Sequence, residues 1–319
     1  MKTTLLAIAA AFGVATSAMA DDYPNRPIRV IVPFPAGQAS DTIVRLVGDH
    51  LGRRLGQPIV VENKPGAGGN LGTEQGARAP ADGYTITIAT AALPISKLVY
   101  RKLAYDPVKD FEPVTLMTVT PLVLVTRPDL PATNVKELVE LARKSPGKLT
   151  FASSGLGTSH QLSSELLKAL ADVDILHVPY RGSAPAHLDL MAGRVDMMFD
   201  NIVPVTPHIQ TGKLKALAVT TKERAPALAN VATMAESGYA SFEAVAWFGV
   251  LAPNGTPAPI VDKLSREINA VLQMPEVNAK LVSMGANVVG TSPADFRSFM
   301  GAEINKWVPV VQRAKIVIE

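Results

Sequence analysis

Ile28-Arg29-Val30-Ile31-Val32-Pro33, followed by Phe34-Pro35-Ala36-Gly37-Gln38-Ala39-Ser40-Asp41, is the stretch on which the fold turns. Its first half is a short β-branched run, the kind that fills a buried strand. Its second half sets prolines and a glycine in a loop and ends in Ser40 and Asp41, either of which can cap a helix. Helical spacing of apolar residues follows over 40–55. Strand, tight loop and helix make one βα unit, and the order recurs along the chain.

Strands are expected at 28–33, 59–62, 85–89, 122–126, 149–152, 175–178, 195–199, 215–219 and 242–251, with helices near 40–55, 70–79, 134–144, 158–171, 183–192 and 204–211. This alternation predicts an α/β fold with parallel strands. The tail segments 257–272, 275–284 and 293–311 each open at or near a proline, which suits a helix's first turn, so three helices are expected there. Segments 120–127 and 243–252 are extended and apolar, and each lies where the chain passes between sets of βα units. They read as crossing hinge strands. One lobe then holds 22–120 and 252–319, the other 127–242, with a cleft between them.

The N-terminus carries Lys2, an apolar run from Leu5 to Ala15, and small residues ending at Ala20, the pattern of a signal peptide over 1–20. That run is shorter than the ~20 residues a membrane span needs. The expected mature protein is exported and starts at Asp21, after cleavage at Ala20. Cysteine is absent, which excludes disulfides, a thiol nucleophile, a thiolate metal site and a lipid anchor on cysteine. The net charge of +3 is small and the basic residues are scattered, so nucleic acid is not an expected partner. The five histidines lack metal-ligand spacing, and neither metal nor cofactor is expected.

Open α/β sheets bind ligands beyond the carboxyl ends of their strands. The loop Phe34, Ala36, Gly37, Gln38 and Asp41 offers helix N-terminal N–H groups to a carboxylate, or forms an ordinary capped turn. The loop Ser153-Ser154-Gly155-Leu156-Gly157-Thr158-Ser159-His160 offers the same donors, or Thr158 or Ser159 simply caps the helix. Two such loops, one per lobe, could grip one ligand. Asp200 follows a strand and either orients a donor on the ligand or caps the next helix; Arg181 either forks onto a carboxylate or forms a solvated ion pair. A dinucleotide site at Gly66-Ala67-Gly68-Gly69-Asn70-Leu71 fails because Leu71 stands where the last glycine should. No G-x-S-x-G elbow supports a hydrolase at Ser154 and His160. A pocket of glycines and hydroxyls without nucleophile, metal or cofactor motif suits binding better than reaction.

Pro24-Asn25-Arg26-Pro27-Ile28-Arg29 with Val32-Pro33-Phe34-Pro35-Ala36-Gly37 and Asp41 resembles the Bug-type, TctC-like receptors of tripartite tricarboxylate transporters. The likeness continues through Val61-Glu62-Asn63-Lys64-Pro65-Gly66-Ala67-Gly68-Gly69, Asp82-Gly83-Tyr84-Thr85, His177-Val178-Pro179-Tyr180-Arg181-Gly182, Met198-Phe199-Asp200-Asn201 and Gly212-Lys213-Leu214-Lys215-Ala216-Leu217-Ala218-Val219. It implies a bilobal periplasmic binding protein of type II, a Venus flytrap that takes carboxylates: tricarboxylates, dicarboxylates, acidic amino acids or aromatic acids. It implies that the loops at 34–41 and 153–160 pinch the ligand, partly through water, and that Thr90, Ala91, Ala92 and the Asp200 position line the cleft. Many members carry a second glycine after Gly37 where this chain has Gln38, whose side chain narrows backbone approach and adds an amide.

The expected function is that of a monomeric solute receptor that closes on a small carboxylate and delivers it to a membrane permease. The rivals are a sensor partner presenting its ligand to a receptor kinase, and an enzyme on the same fold.

Overall fold

In the computed structural model, which describes residues 23–314 and 316–318, the opening stretch forms β1 (Ile28–Val32), a loop, and α1 (Ala39–Leu55). The signal peptide expected at 1–20 lies outside the described residues. Ile43, Val44, Val47 and Leu51 of α1 are buried and belong to one core with Ile28 and Val30 of β1. Each such side chain contributes roughly 1.5–3 kcal/mol by leaving water. Neither Ser40 nor Asp41 caps α1: the N-cap is Gln38, whose side chain makes no capping bond, and α1 stops where Gly56 takes φ 68°.

The chain continues through β2 (Ile59–Asn63), α2 (Asn70–Ala77), β3 (Thr85–Thr90) and α3 (Ala92–Val99). Strands β2 and β3 flank β1 in parallel. Next comes β4 (Phe111–Thr126), which starts eleven residues before the expected strand at 122. Pro113 and Pro121 disguise its first part, because proline cannot donate to a ladder. The ladder accommodates Pro113 with a register shift between it and Thr115.

After β4 come α4 (Val135–Lys144), β5 (Thr150–Ser153), α5 (Ser159–Ala171), β6 (Leu176–Pro179), α6 (Ser183–Met191), β7 (Met197–Asn201), α7 (Ile202–Gln210) and β8 (Lys215–Val219). Strand β9 (Val245–Pro253) returns to β4, and α8 (Ala258–Leu272), α9 (Pro275–Ser283), the short β10 (Asn287–Val288) and α10 (Pro293–Ala314) complete the described chain. The three helices with prolines near their starts are those expected of the tail; β10 and α3 were not expected.

Strand order is β2-β1-β3-β9-β4-β7-β5-β6, with β8 and β10 also on β4. The outer strands pair in parallel, while β9 and β4 run antiparallel to their neighbours. Residues 111–121 of β4 pair with β9, and 122–126 pair with β7 and β8. A single long strand thus joins the two halves of a bilobal fold. The carboxyl ends of β1 and β3 on one side, and of β5 and β7 on the other, carry the loops that build the site.

Candidate functional site

Between these loops lies an inner chamber with about 420 Å³ of space not filled by atoms, open solvent at its mouth included. From the β1 side it is lined by Phe34, Gln38, Ala39 and Ser40, and from the end of β3 by Thr90, Ala91 and Ala92. Ser154, Thr158, Ser159 and His160 close it from the β5 loop, Ser183 from the start of α6, and Asp200 and Asn201 from the end of β7. Ala246 and Phe248 of β9 form its floor.

The beginnings of α1, α3, α5, α6 and α7 all reach this chamber. Their N-caps are Gln38, Ala91, Thr158, Gly182 and Asn201, and none of these side chains accepts a bond from its own helix. A helix start carries roughly half a positive charge on its first N–H groups. Two of the five are partly satisfied locally: Ala92 N–H donates to Thr90 Oγ1, and Asn201 N–H to Asp200 Oδ1. The first turns of α1, α5 and α6 are left to bond whatever enters.

Asp200 is the charged side chain in this lining, and it is fully committed. His160 Nε2 stands 3.1 Å from its Oδ1, and His187 Nε2 2.6 Å from its Oδ2. All three residues are buried. Burial pushes the Asp200 carboxyl up, but the two imidazoles and the Ser183 hydroxyl outweigh it and hold the group below the usual carboxylate range. For His160, burial lowers the pKa further than Asp200 raises it, so the ring is neutral and donates from Nε2. Its Nδ1 has no partner among the described residues, and neither does Nε2 of Gln38. The chamber therefore presents neutral donors, one anion already satisfied, and a histidine lone pair.

A larger outer chamber of about 1240 Å³, shared space at the mouth included, adjoins the inner one; Phe34 and Ser154 border both. It is lined by Gly155 and Arg181, by the glycine-rich turn Gly66 to Gly69, and by Tyr100 and Tyr180.

Of the residues singled out in the sequence, Phe34, Gln38, Thr90, Ala91, Thr158, Ser159, His160 and Asp200 meet at the inner chamber, while Gly155 and Arg181 lie on the outer one. The remaining five line neither chamber. Asp41 turns back on its own loop, accepting from Gly37 N–H at 2.9 Å, Arg45 Nε at 2.9 Å and Asn63 Nδ2 at 3.0 Å. Ser153 Oγ lies 2.7 Å from His177 Nε2 and 3.1 Å from the Gly155 carbonyl. Gly157 N–H donates to Gln161 Oε1. Ala36 and Gly37 are exposed. Asp200 does not cap α7, because its Oδ1 serves Asn201 N–H from outside the helix and its other bonds go to histidines.

Sequence reasoning missed Ser183, Ala246 and Phe248. Ser183 begins a helix directly after Arg181-Gly182, a signal of the same kind as that at 158–160. The two β9 residues reach the chamber only through strand register.

The model for the tripartite tricarboxylate transporter family receptor matches residues 43–316. Protein BugT of Bordetella pertussis is 38% identical over 316 residues, covering 97% of this chain and 97% of its own. Among solved structures, R. palustris Rpa4515 with adipate superposes with TM-score 0.90 at 39% identity over 93% of this chain and 99% of that one. MatC from Rhodopseudomonas palustris with bound malate gives 0.87 at 36%, over 91% and 100%.

Proposed function

The chain belongs to the tripartite tricarboxylate transporter receptor family, and from that premise we propose that it is a periplasmic receptor that binds a small carboxylate in the inner chamber and hands it to a membrane permease. The observation that carries the reading is the convergence of uncapped helix starts on one chamber without a cation in its lining. Fixed N–H and O–H donors suit a carboxylate, and the absence of a full counter-charge lets it leave again. The two similar structures were solved with adipate and malate, both carboxylates. The family and the solved neighbours are solute-binding proteins rather than enzymes.

Binding works through cleft closure. β4 near Pro121 and Leu122, and the chain entering β9, act as the hinge. A ligand that touches both halves favours the closed form by the difference of its affinity for the two forms. No helix among the described residues is long and apolar enough to cross a membrane. The receptor acts as a monomer.

The test is a thermal-shift screen of the mature protein, unfolded and refolded to remove any ligand carried through purification, against mono-, di- and tricarboxylates, acidic amino acids and aromatic acids. A saturable rise in melting temperature with a carboxylate supports the reading, because only the native state binds; no rise with any of them on folded protein refutes it. Loss of uptake of the same acid on deleting the gene would establish delivery, whereas intact uptake with lost induction would favour a sensor.

A further inference from the structure

Asp200 and a bound carboxylate would be two anions in one chamber whose lining holds no lysine or arginine. Bringing a second negative charge into a buried site is costly unless a positive charge comes with it. His160 is placed to supply one. Its ring lines the chamber and is 6% exposed. Nε2, 3.1 Å from Asp200 Oδ1, carries a hydrogen, because a lone pair there would oppose the carboxylate. Nδ1 is then the acceptor of the neutral ring, and it is buried with no hydrogen-bond partner among the described residues. A carboxylate brings only acceptors and cannot satisfy that lone pair. A proton on Nδ1 turns the same atom into a charged donor.

The charges around the ring are few. Of the elements packed on α5, β5 has no charged residue and β7 contributes Asp200. On α10 the buried acid, Glu303, is taken by Trp247 Nε1 and Lys306 Nζ, while Asp295, Arg297 and Arg313 are exposed. From α6, His187 Nε2 lies 2.6 Å from the other oxygen of Asp200, and its ring meets that of His208 on α7 at 5.6 Å. Within α5, Glu165 and Lys168 pair with each other. In the free protein burial, with a smaller contribution from His187, outweighs Asp200 and holds His160 below its ordinary value. An anion arriving in the chamber works against that burial.

Resting on the function proposed above, we propose that the receptor takes up one proton with each carboxylate it binds, and that His160 holds it on Nδ1 as an imidazolium between Asp200 and the acid. The proton comes from solvent and returns there on release, so the counter-charge exists only while the acid is bound. Binding that takes up a proton strengthens as pH falls, by at most about tenfold per pH unit, between the ring's value in the free protein and its higher value in the complex.

The test is calorimetric titration of the refolded mature protein with straight-chain mono- and dicarboxylates from propanoate to octanedioate, none of which carries a hydroxyl or an amine, and with malate and glutamate for comparison. Repeating each titration near pH 6.5 in two buffers of unlike ionisation enthalpy counts the protons taken up. The expected count is at least about half a proton per straight-chain acid bound, with affinity rising about threefold or more from pH 7.5 to pH 6.5. His160→Gln, which keeps a donor for Asp200, should bind more weakly, with no uptake and a flat pH profile. In the unmodified protein the ring nitrogens of His160 should move to imidazolium resonances on saturation, a readout that does not depend on the variant folding. A bound acid without proton uptake, uptake that persists in His160→Gln, or a His160 ring that stays neutral in the complex overturns the proposal and leaves the carboxylate receptor standing. Binding confined to malate or glutamate does the same, because the solute's own hydrogen would then fill Nδ1. Binding by no acid at all overturns the receptor reading and the proton uptake with it.

Discussion

Gly68 and Leu156 meet across the cleft: a Cβ built on Gly68 would stand 2.3 Å from the Leu156 carbonyl oxygen. Gly68 lies in the turn before α2 and Leu156 in the loop after β5, so the contact holds these two loops in their present arrangement. Gly68→Ala adds a methyl that this arrangement cannot hold, at a φ of +64° that L residues rarely adopt. The expected result is a loss of ligand affinity of at least ~10-fold, equivalent to about 1.4 kcal/mol. The ligand-free melting point should fall by only ~2–4 °C, as for about 1 kcal/mol of local strain. Small-angle scattering should show less compaction on adding ligand than in the unmodified protein.

Removing Asp200 strands two donors. Asp200→Ala leaves the His160 and His187 N–H groups without their acceptor in a buried site. Unfolding in urea should show a loss of about 2–5 kcal/mol, and Asp200→Asn, which keeps one acceptor and the shape, should lose less. Equal stability of all three proteins would mean that the network does not organise the site.

Acid should weaken the native state before any carboxylate titrates. Burial, aided by nearby Lys168, pushes His177 down to about 4. The unfolded ring binds a proton near its ordinary value of ~6.5, so between these limits the unfolded state holds more protons and stability falls as pH falls. The loss from this residue is at most about 3 kcal/mol, and burial pushes His160 in the same direction. Denaturation midpoints measured from pH 7 to pH 4 should decline, and His177→Gln should flatten the decline.

Asp41→Ala should act on the ligand indirectly. The Asp41 carboxylate holds Gly37, and through Asn63, which also donates to the Phe34 carbonyl, it fixes the loop that carries Phe34 and Gln38. Calorimetry should give several-fold weaker binding, with a stability loss of about 1.5–3 kcal/mol for the lost charged bonds. Unchanged affinity would show that the loop keeps its shape without Asp41.

The α/β class was legible in 28–41 because strand, loop and helix each left their own period there. The two loops of glycines and hydroxyls were legible because backbone donors at helix starts need small neighbours. What the sequence hid was direction. That Asp41 and Ser153 follow strands was readable, but not that their side chains turn toward Gly37 and His177. Phe248 reaches the chamber through the pairing of β9 with β3, opposite Thr90, and pairing is a long-range property that no local pattern encodes. The early part of β4 was hidden by Pro113 and Pro121, which only a bulged or terminated ladder tolerates.

The proposed function places a bound carboxylate among the converging helix starts. A crystal structure of the protein with the carboxylate that shifts its melting point most tests this directly. The expected result is one carboxylate within hydrogen-bond distance of the first-turn N–H groups of α1 and α5, between Gln38 and Ser159. A ligand lying elsewhere, with the inner chamber filled by water alone, would contradict it.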